Sequence, residues 1–180
     1  MGLTTFGVVS PGAVTDTWDP SSSIVGQRGE PGTIHVLKND SGEFSLVRII
    51  QMGNTSCTAG QVLMQNHATL KGYSRRVAAT TDEGAPITGG ISAAAIGSHK
   101  CGYEYIGGYV PTVDISETPA SGEYLMISGS TAGQLTVNRA SCFNQGSSTT
   151  DASAFVVVGV SRGAGTAGCD GSIQLTGVWG

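Results

Sequence analysis

The sequence predicts an all-β protein: two tandem small β-barrel or sandwich modules behind an extended N-terminal arm. Three observations carry that expectation. Short apolar runs rich in Val and Ile recur between turn residues. No segment holds a helical pattern beyond about one turn. The chain also repeats itself: Thr58-Ala59-Gly60-Gln61-Val62-Leu63-Met64 returns 62 positions later as Ala120-Ser121-Gly122-Glu123-Tyr124-Leu125-Met126. Gly90-Ile91-Ser92 returns 69 positions later as Gly159-Val160-Ser161, and residues 102–110 return at the same offset as 171–179. A single insertion of seven residues aligns all three pairs.

Residues 1–32 read as the arm. Pro11, Pro20 and Pro31 alternate with Gly7, Gly12, Gly26, Gly29 and Gly32, which suits neither a long helix nor a central strand. Phe6, Val8, Trp18 and Ile24 are apolar residues on this segment, and such residues are costly there unless they dock. Trp18 docks either on its own domain or on a neighbouring subunit.

The first module is expected over 33–118 and opens with a hairpin at 33–50. Thr33–Lys38 and Phe44–Ile50 alternate with period two around Asn39-Asp40-Ser41-Gly42-Glu43, whose glycine suits the positive φ of a tight turn. Strands are then predicted at Val62–Met64, Gly72–Ala78, Ile87–Ser92 and Gly102–Val113. The last of these places Tyr103, Tyr105 and Tyr109 on one face. Ala93–Ile96 reads as a loop or a single helical turn, because Gly97 follows at once. The second module, 119–180, repeats the order with strands at Glu123–Ser128, Gln134–Asn138, Ala154–Ser161 and Ser172–Trp179.

Only 12% of residues are charged and the net charge is −4. A typical soluble domain carries about 25% charged residues. Arg75-Arg76 is the only adjacent cation pair, so counterion release offers little and nucleic acid is excluded as an expected partner. A Thr, Ser, Gly and Asn surface is cheap to desolvate and suits burial against other subunits. The same composition also fits an ordinary soluble β-protein with uncharged loops. No apolar run approaches the ~20 residues of a membrane-spanning helix, and the first residues carry neither a secretory nor a myristoylation pattern. Synthesis in the cytosol is the expectation.

Cys57, Cys101, Cys142 and Cys169 lie far apart with no C-x-x-C pair. A structural zinc site normally shows such a pair, and a cytosolic start keeps thiols reduced. They are expected to be small buried fillers. His35, His67 and His99 occupy different segments with no Gly-x-Ser-x-Gly elbow beside them. The acids are scattered, and residues 159–165 lack the Gly-Lys-Ser/Thr of a phosphate loop. The expectation is a protein without enzymatic activity, catalytic residues, cofactor or metal.

Gly60-Gln61-Val62-Leu63, Ile87-Thr88-Gly89-Gly90-Ile91-Ser92-Ala93-Ala94-Ala95 and Gly102-Tyr103-Glu104-Tyr105-Ile106-Gly107-Gly108-Tyr109-Val110 resemble small β modules of tailed-bacteriophage capsids. Those modules occur in head decoration (cement) proteins and related virion proteins. The resemblance covers 58–113 well and 120–179 less well, and does not extend to the first third. It implies a protein made in the host cytoplasm that binds the major capsid protein on the outer face of the assembled shell, as a homo-oligomer with a trimer favoured. It assigns no functional residue. Phe6, Val8, Trp18, Ile24 and Arg28 are the expected capsid or subunit contacts. The alternative expectation is a phage fibre, tail or receptor-binding protein whose Tyr103, Tyr105 and Tyr109 face meets glycans.

Overall fold

The computed structural model describes residues 14–21, 29–68, 71–83, 85, 87–137, 157–163 and 170–175. Their regular structure is nearly all β. The strands are β1 (Ile34–Lys38), β2 (Phe44–Met52), β3 (Leu63–Gln65), β4 (Ser74–Val77), β5 (Ile91–Ser92), β6 (Cys101–Asp114), β7 (Tyr124–Ile127), β8 (Leu135–Val137), β9 (Gly159–Ser161) and β10 (Asp170–Leu175). A 3-10 turn at Thr80–Asp82 is the one helical element among the described residues.

The predicted hairpin forms β1 and β2, which pair antiparallel from Ile34↔Arg48 to Lys38↔Phe44. Its turn closes as the residue types require. Asn39 N–H donates to the Glu43 carbonyl at 2.9 Å, and Glu43 N–H donates to Asn39 Oδ1 at 2.8 Å. Gly42 takes φ +84, a left-handed value that costs glycine little.

The strands form one sheet in the order β3-β4-β2-β6-β10-β9-β7-β8, with β1 on β2 and β5 on β6. The long β6 serves both halves of the chain: β2 and β5 pair with its first part, and β10 with its second. The sheet curls into a half-barrel whose ends touch at Gly133. There Val62 N–H donates to the Gly133 carbonyl, and Gly133 N–H to the Ala78 carbonyl, each at 2.8 Å. One main core runs along the inner face, from Val47, Ile49 and Tyr103 to Leu125, Ile127, Leu135, Ile173 and Leu175. A smaller cluster holds Ile50, Met52, Cys57, Leu63 and Ile96.

Positions aligned by the two offsets make matching bonds. Gly60 N–H donates to the Ser92 carbonyl at 2.9 Å, and Gly122 N–H to the Ser161 carbonyl at 2.7 Å. Ser92 N–H donates to the Gln61 carbonyl and Ser161 N–H to the Glu123 carbonyl, both at 2.9 Å. The side chains of Gln61 and Glu123 reach back to Thr58 N–H (3.0 Å) and Ala120 N–H (2.7 Å). The Val62↔Ile91 bridge has its counterpart in Tyr124↔Val160. Both Gly90 and Gly159 pass tightly under a carbonyl: an added Cβ would lie 2.2 Å from Tyr105 O and 2.7 Å from Gln174 O respectively.

Two expectations change. The predicted strand over Ile87–Ser92 shrinks to Ile91–Ser92: Gly89 passes close to Leu63 O and Gly90 to Tyr105 O, and Gly90 keeps a single backbone bond, its carbonyl accepting from Leu63 N–H at 2.7 Å. The alternation of β6 is also broken, by a register shift between Leu46 and Val47 and by Gly108 at φ +78. Tyr103 and Tyr105, which precede the break, are both buried (0% and 9% exposed), while Tyr109, beyond it, is half-buried.

Candidate functional surface

Of the predicted contact residues, the structure describes Trp18 alone; Phe6, Val8, Ile24 and Arg28 lie outside the described residues. Trp18 is 5% exposed and sits in the chain's own core. It bridges Cys101 through backbone bonds of 3.1 and 2.8 Å, and its ring stands edge-on to Tyr103 with centroids 5.3 Å apart. Val14 is buried in the same cluster. Asp19 adds an exposed clamp, its carboxylate 2.7 Å from Lys100 Nζ. Bonds from Lys100 and from Ser21 hold that carboxyl down at about 2. Trp18 is thus part of the core and not an anchor free for a shell.

Of the four large apolar residues that face solvent among the described residues, Tyr124 starts β7 and the other three lie on the hairpin. Ile34 (40%), Phe44 (59%) and Leu46 (41%) are exposed, and Val36 is half-buried. Alternation puts His35, Leu37, Ser45 and Val47 on the other face, in the core. The cross-strand pairs Val36↔Leu46 and Lys38↔Phe44 gather the outward side chains. Lys38 Nζ lies 5.6 Å over the Phe44 ring. Gly107 stands opposite Leu46, so no side chain from β6 covers it. This face was not among the sequence's candidates, although the period-two pattern of 44–48 already placed Phe44 and Leu46 together.

The hairpin tip is fixed to the second half of the chain. Glu43 forms an ion pair with Arg162, whose guanidinium lies 5.4 Å over the Tyr109 ring. Beside the tip is a groove of about 340 Å³ lined by Val14, Leu37, Asp40, Ser45, Tyr105 and Tyr109.

Beneath the first half is a buried charge cluster that composition did not reveal. Glu104 (0% exposed) accepts from Arg75 Nε at 3.0 Å on both oxygens, from Arg75 Nη2 at 2.9 Å and from Arg48 Nε at 2.7 Å. Arg75 Nη1 donates to the Gly72 carbonyl at 2.7 Å. These bonds tie β2, β4 and β6 together. The position 69 residues on from Glu104 is Ile173, fully buried and apolar. The sequence held no sign that Glu104 would be enclosed, because burial of a strand face depends on distant β4.

Cys57 and Cys101 are buried and unpaired, and burial pushes both thiols up from their ordinary value. Cys142 and Cys169 lie outside the described residues. His35 is buried, and His67 and His99 are exposed in turns. Among the described residues no group of His, Cys, Asp or Glu has the arrangement of a metal site. No helix among them is long and apolar enough to cross a membrane.

No family model matches the chain, and no curated protein does. Among solved structures, it is similar to the head fiber gp8.5 N base of bacteriophage phi29, at 11% identity and a TM-score of 0.48. That likeness covers 73% of this chain and 94% of the other.

Proposed function

We propose that this chain is a structural virion protein that binds the outer surface of an assembled phage capsid and stabilises contacts between capsomers. The observation that carries the reading is the exposed apolar hairpin face of Ile34, Phe44 and Leu46, on a hairpin whose tip the Glu43–Arg162 ion pair ties down. A cluster of that kind on a surface poor in charge favours burial against another protein. Full burial of such a side chain from full exposure contributes about 1.5–3 kcal/mol, so covering the 40–59% that remains exposed here adds roughly half of that apiece, before ordering costs. The resemblance of 58–113 to capsid decoration modules supplies the partner class, the major capsid protein. We place the protein on the virion as a homo-oligomer, and nothing in this reading depends on the number of copies. The matching bonds at both offsets support descent of the two halves from one β unit.

The test is co-sedimentation with empty shells. Phe44→Lys with Leu46→Lys is expected to lower occupancy at least tenfold while the circular dichroism spectrum is retained; full occupancy would overturn the assignment of this face. A truncation that probes Phe6 and Val8 must stop at residue 12, because Val14 and Trp18 belong to the core.

A second reading, a fibre or receptor-binding protein, draws on the groove beside the hairpin tip, where half-buried Tyr109 meets Asp40 and Ser45. Tyr105, 9% exposed, lines the same groove, whereas Tyr103 is fully buried and takes no part in it. Binding on a glycan array that Tyr109→Ala abolishes would favour this reading.

A further inference from the structure

Among the described residues, β1 is a strand whose outer edge is open along its whole length. The bonds Ile49 N–H to Thr33 O and Asn39 N–H to Glu43 O set the phase of the β1–β2 ladder. His35 and Leu37 therefore exchange hydrogen bonds with β2, while Ile34, Val36 and Lys38 turn their N–H and C=O groups away from it. None of those three has a backbone partner on the far side among the described residues.

Other strand margins are occupied. Leu63 N–H beside β5 donates to the Gly90 carbonyl at 2.7 Å, and Gln65 N–H donates to Thr88 Oγ1 at 3.0 Å. At β8, Val137 N–H donates to Glu117 Oε1 at 2.9 Å, and Leu135 O accepts from Ser116 N–H at 2.8 Å. Folded proteins usually blunt an open edge with proline, a bulge or inward charge. Between Ile34 and Lys38 there is no proline, and the one charge stands at the end.

We propose that this edge is occupied by β1 of a second copy, running antiparallel with Val36 opposite the partner's Val36. The strand is self-complementary about that residue. Outward groups at 34, 36 and 38 meet those at 38, 36 and 34, so every open N–H finds a C=O. Lys38 falls opposite the partner's Ile34, which keeps like charges apart. The two hairpins then form one continuous apolar face, with Val36 and Leu46 of each copy at its centre. The proposal stands on the edge geometry and does not rest on the virion reading.

Light scattering after gel filtration, over a hundredfold range of concentration, reads the outcome. The wild-type mass is expected to rise from 18.2 kDa towards twice that value. Val36→Pro removes an N–H that the intrachain ladder does not use, so it should raise the dissociation constant at least tenfold while leaving the thermal midpoint unchanged at dilutions where both proteins are monomers. Ile34→Lys sets the new lysine opposite the partner's Lys38 and should also dissociate the dimer. Adding Lys38→Glu to that variant should restore association, a recovery that general misfolding cannot mimic. In the wild-type dimer the amides of Ile34, Val36 and Lys38 should exchange slowly. A monomer at every concentration, a trimer, or a dimer that Val36→Pro leaves intact with fast amide exchange at these three positions would each overturn the pairing.

Discussion

Two stretches of this chain make the same set of backbone bonds and fill the space beneath them by opposite means. In the first, β5 meets β6 with Ser92 opposite Glu104, and the carboxylate is enclosed with Arg75 and Arg48. In the second, β9 meets β10 with Ser161 opposite Ile173, an apolar residue with no solvent exposure. The hydrogen bonds of Gly60 and Gly122, and of Ser92 and Ser161, are the same in both. Backbone geometry is therefore set by the small residues that permit close approach. What fills the space beneath follows from the neighbours: Arg75 on β4 and Arg48 on β2 flank Glu104, whereas Ile173 joins Leu125 and Leu135 in the core.

The largest expected effect tests that contrast. Glu104→Ala leaves two guanidinium groups facing each other in a dry site and should cost about 3–5 kcal/mol in urea unfolding. Ile173→Ala should cost about 2–5 kcal/mol by leaving a cavity. Replacing the ionic set with the second half's solution, as Glu104→Ile with Arg75→Met and Arg48→Met, should recover most of the loss. If Glu104→Ala alone costs under about 1 kcal/mol, the ionic set does not hold the first half together.

Glycine is the next point at which the halves can be compared. Gly90→Ala and Gly159→Ala each drive a methyl into a carbonyl, the first to 2.2 Å and the second to 2.7 Å. Both should destabilise, by about 1–3 kcal/mol as for overpacking elsewhere, with Gly90→Ala the worse of the two. Reversal of that order in thermal melts would show that the second half is the less yielding one.

Acid separates the halves more weakly. A bond from Arg76 holds the Asp82 carboxyl below its ordinary value of 3.8, against the opposing effect of burial. A depressed carboxyl stabilises the fold above its unfolded value and loses that contribution as pH falls through the folded one. Stability should therefore decline as pH drops below about 3.8. Asp82→Asn should flatten this limb when melts are followed from pH 5 to pH 2.

The smallest effect is expected at the paired turns. Gln61→Ala and Glu123→Ala each remove one side-chain bond to a backbone N–H, at Thr58 and Ala120. Each should cost about 0.5–1.5 kcal/mol, and near-equal losses would mark the turns as interchangeable parts.

Much of this architecture was readable before any coordinate. The hairpin and its Asn39–Glu43 turn follow from alternation and a glycine at the left-handed position. The offsets of 62 and 69 located β7, β9 and the start of β10, because glycine and serine recur where the backbone needs close approach. The candidate surface was less legible. The arm's apolar residues suggested outward anchors, yet Trp18 found Tyr103 and Cys101 within its own chain. The tyrosines of β6 alternate in sequence, but a register shift and the positive φ of Gly108 ended the alternation before Tyr109.

By itself, then, the sequence determined that this chain is a β-protein of short strands with a doubled pattern, since period two, turn chemistry and glycine spacing are local properties. Only the tertiary structure decided that both halves share one curled sheet through β6, that Glu104 is enclosed with two arginines, and that the hairpin face of Phe44 and Leu46 stays open to solvent. Those outcomes depend on which distant strand lies across each face. Burial is a property of neighbours, and neighbours 29 or 56 residues away, as for the Arg75 and Arg48 bonds to Glu104, leave no periodic trace along the chain.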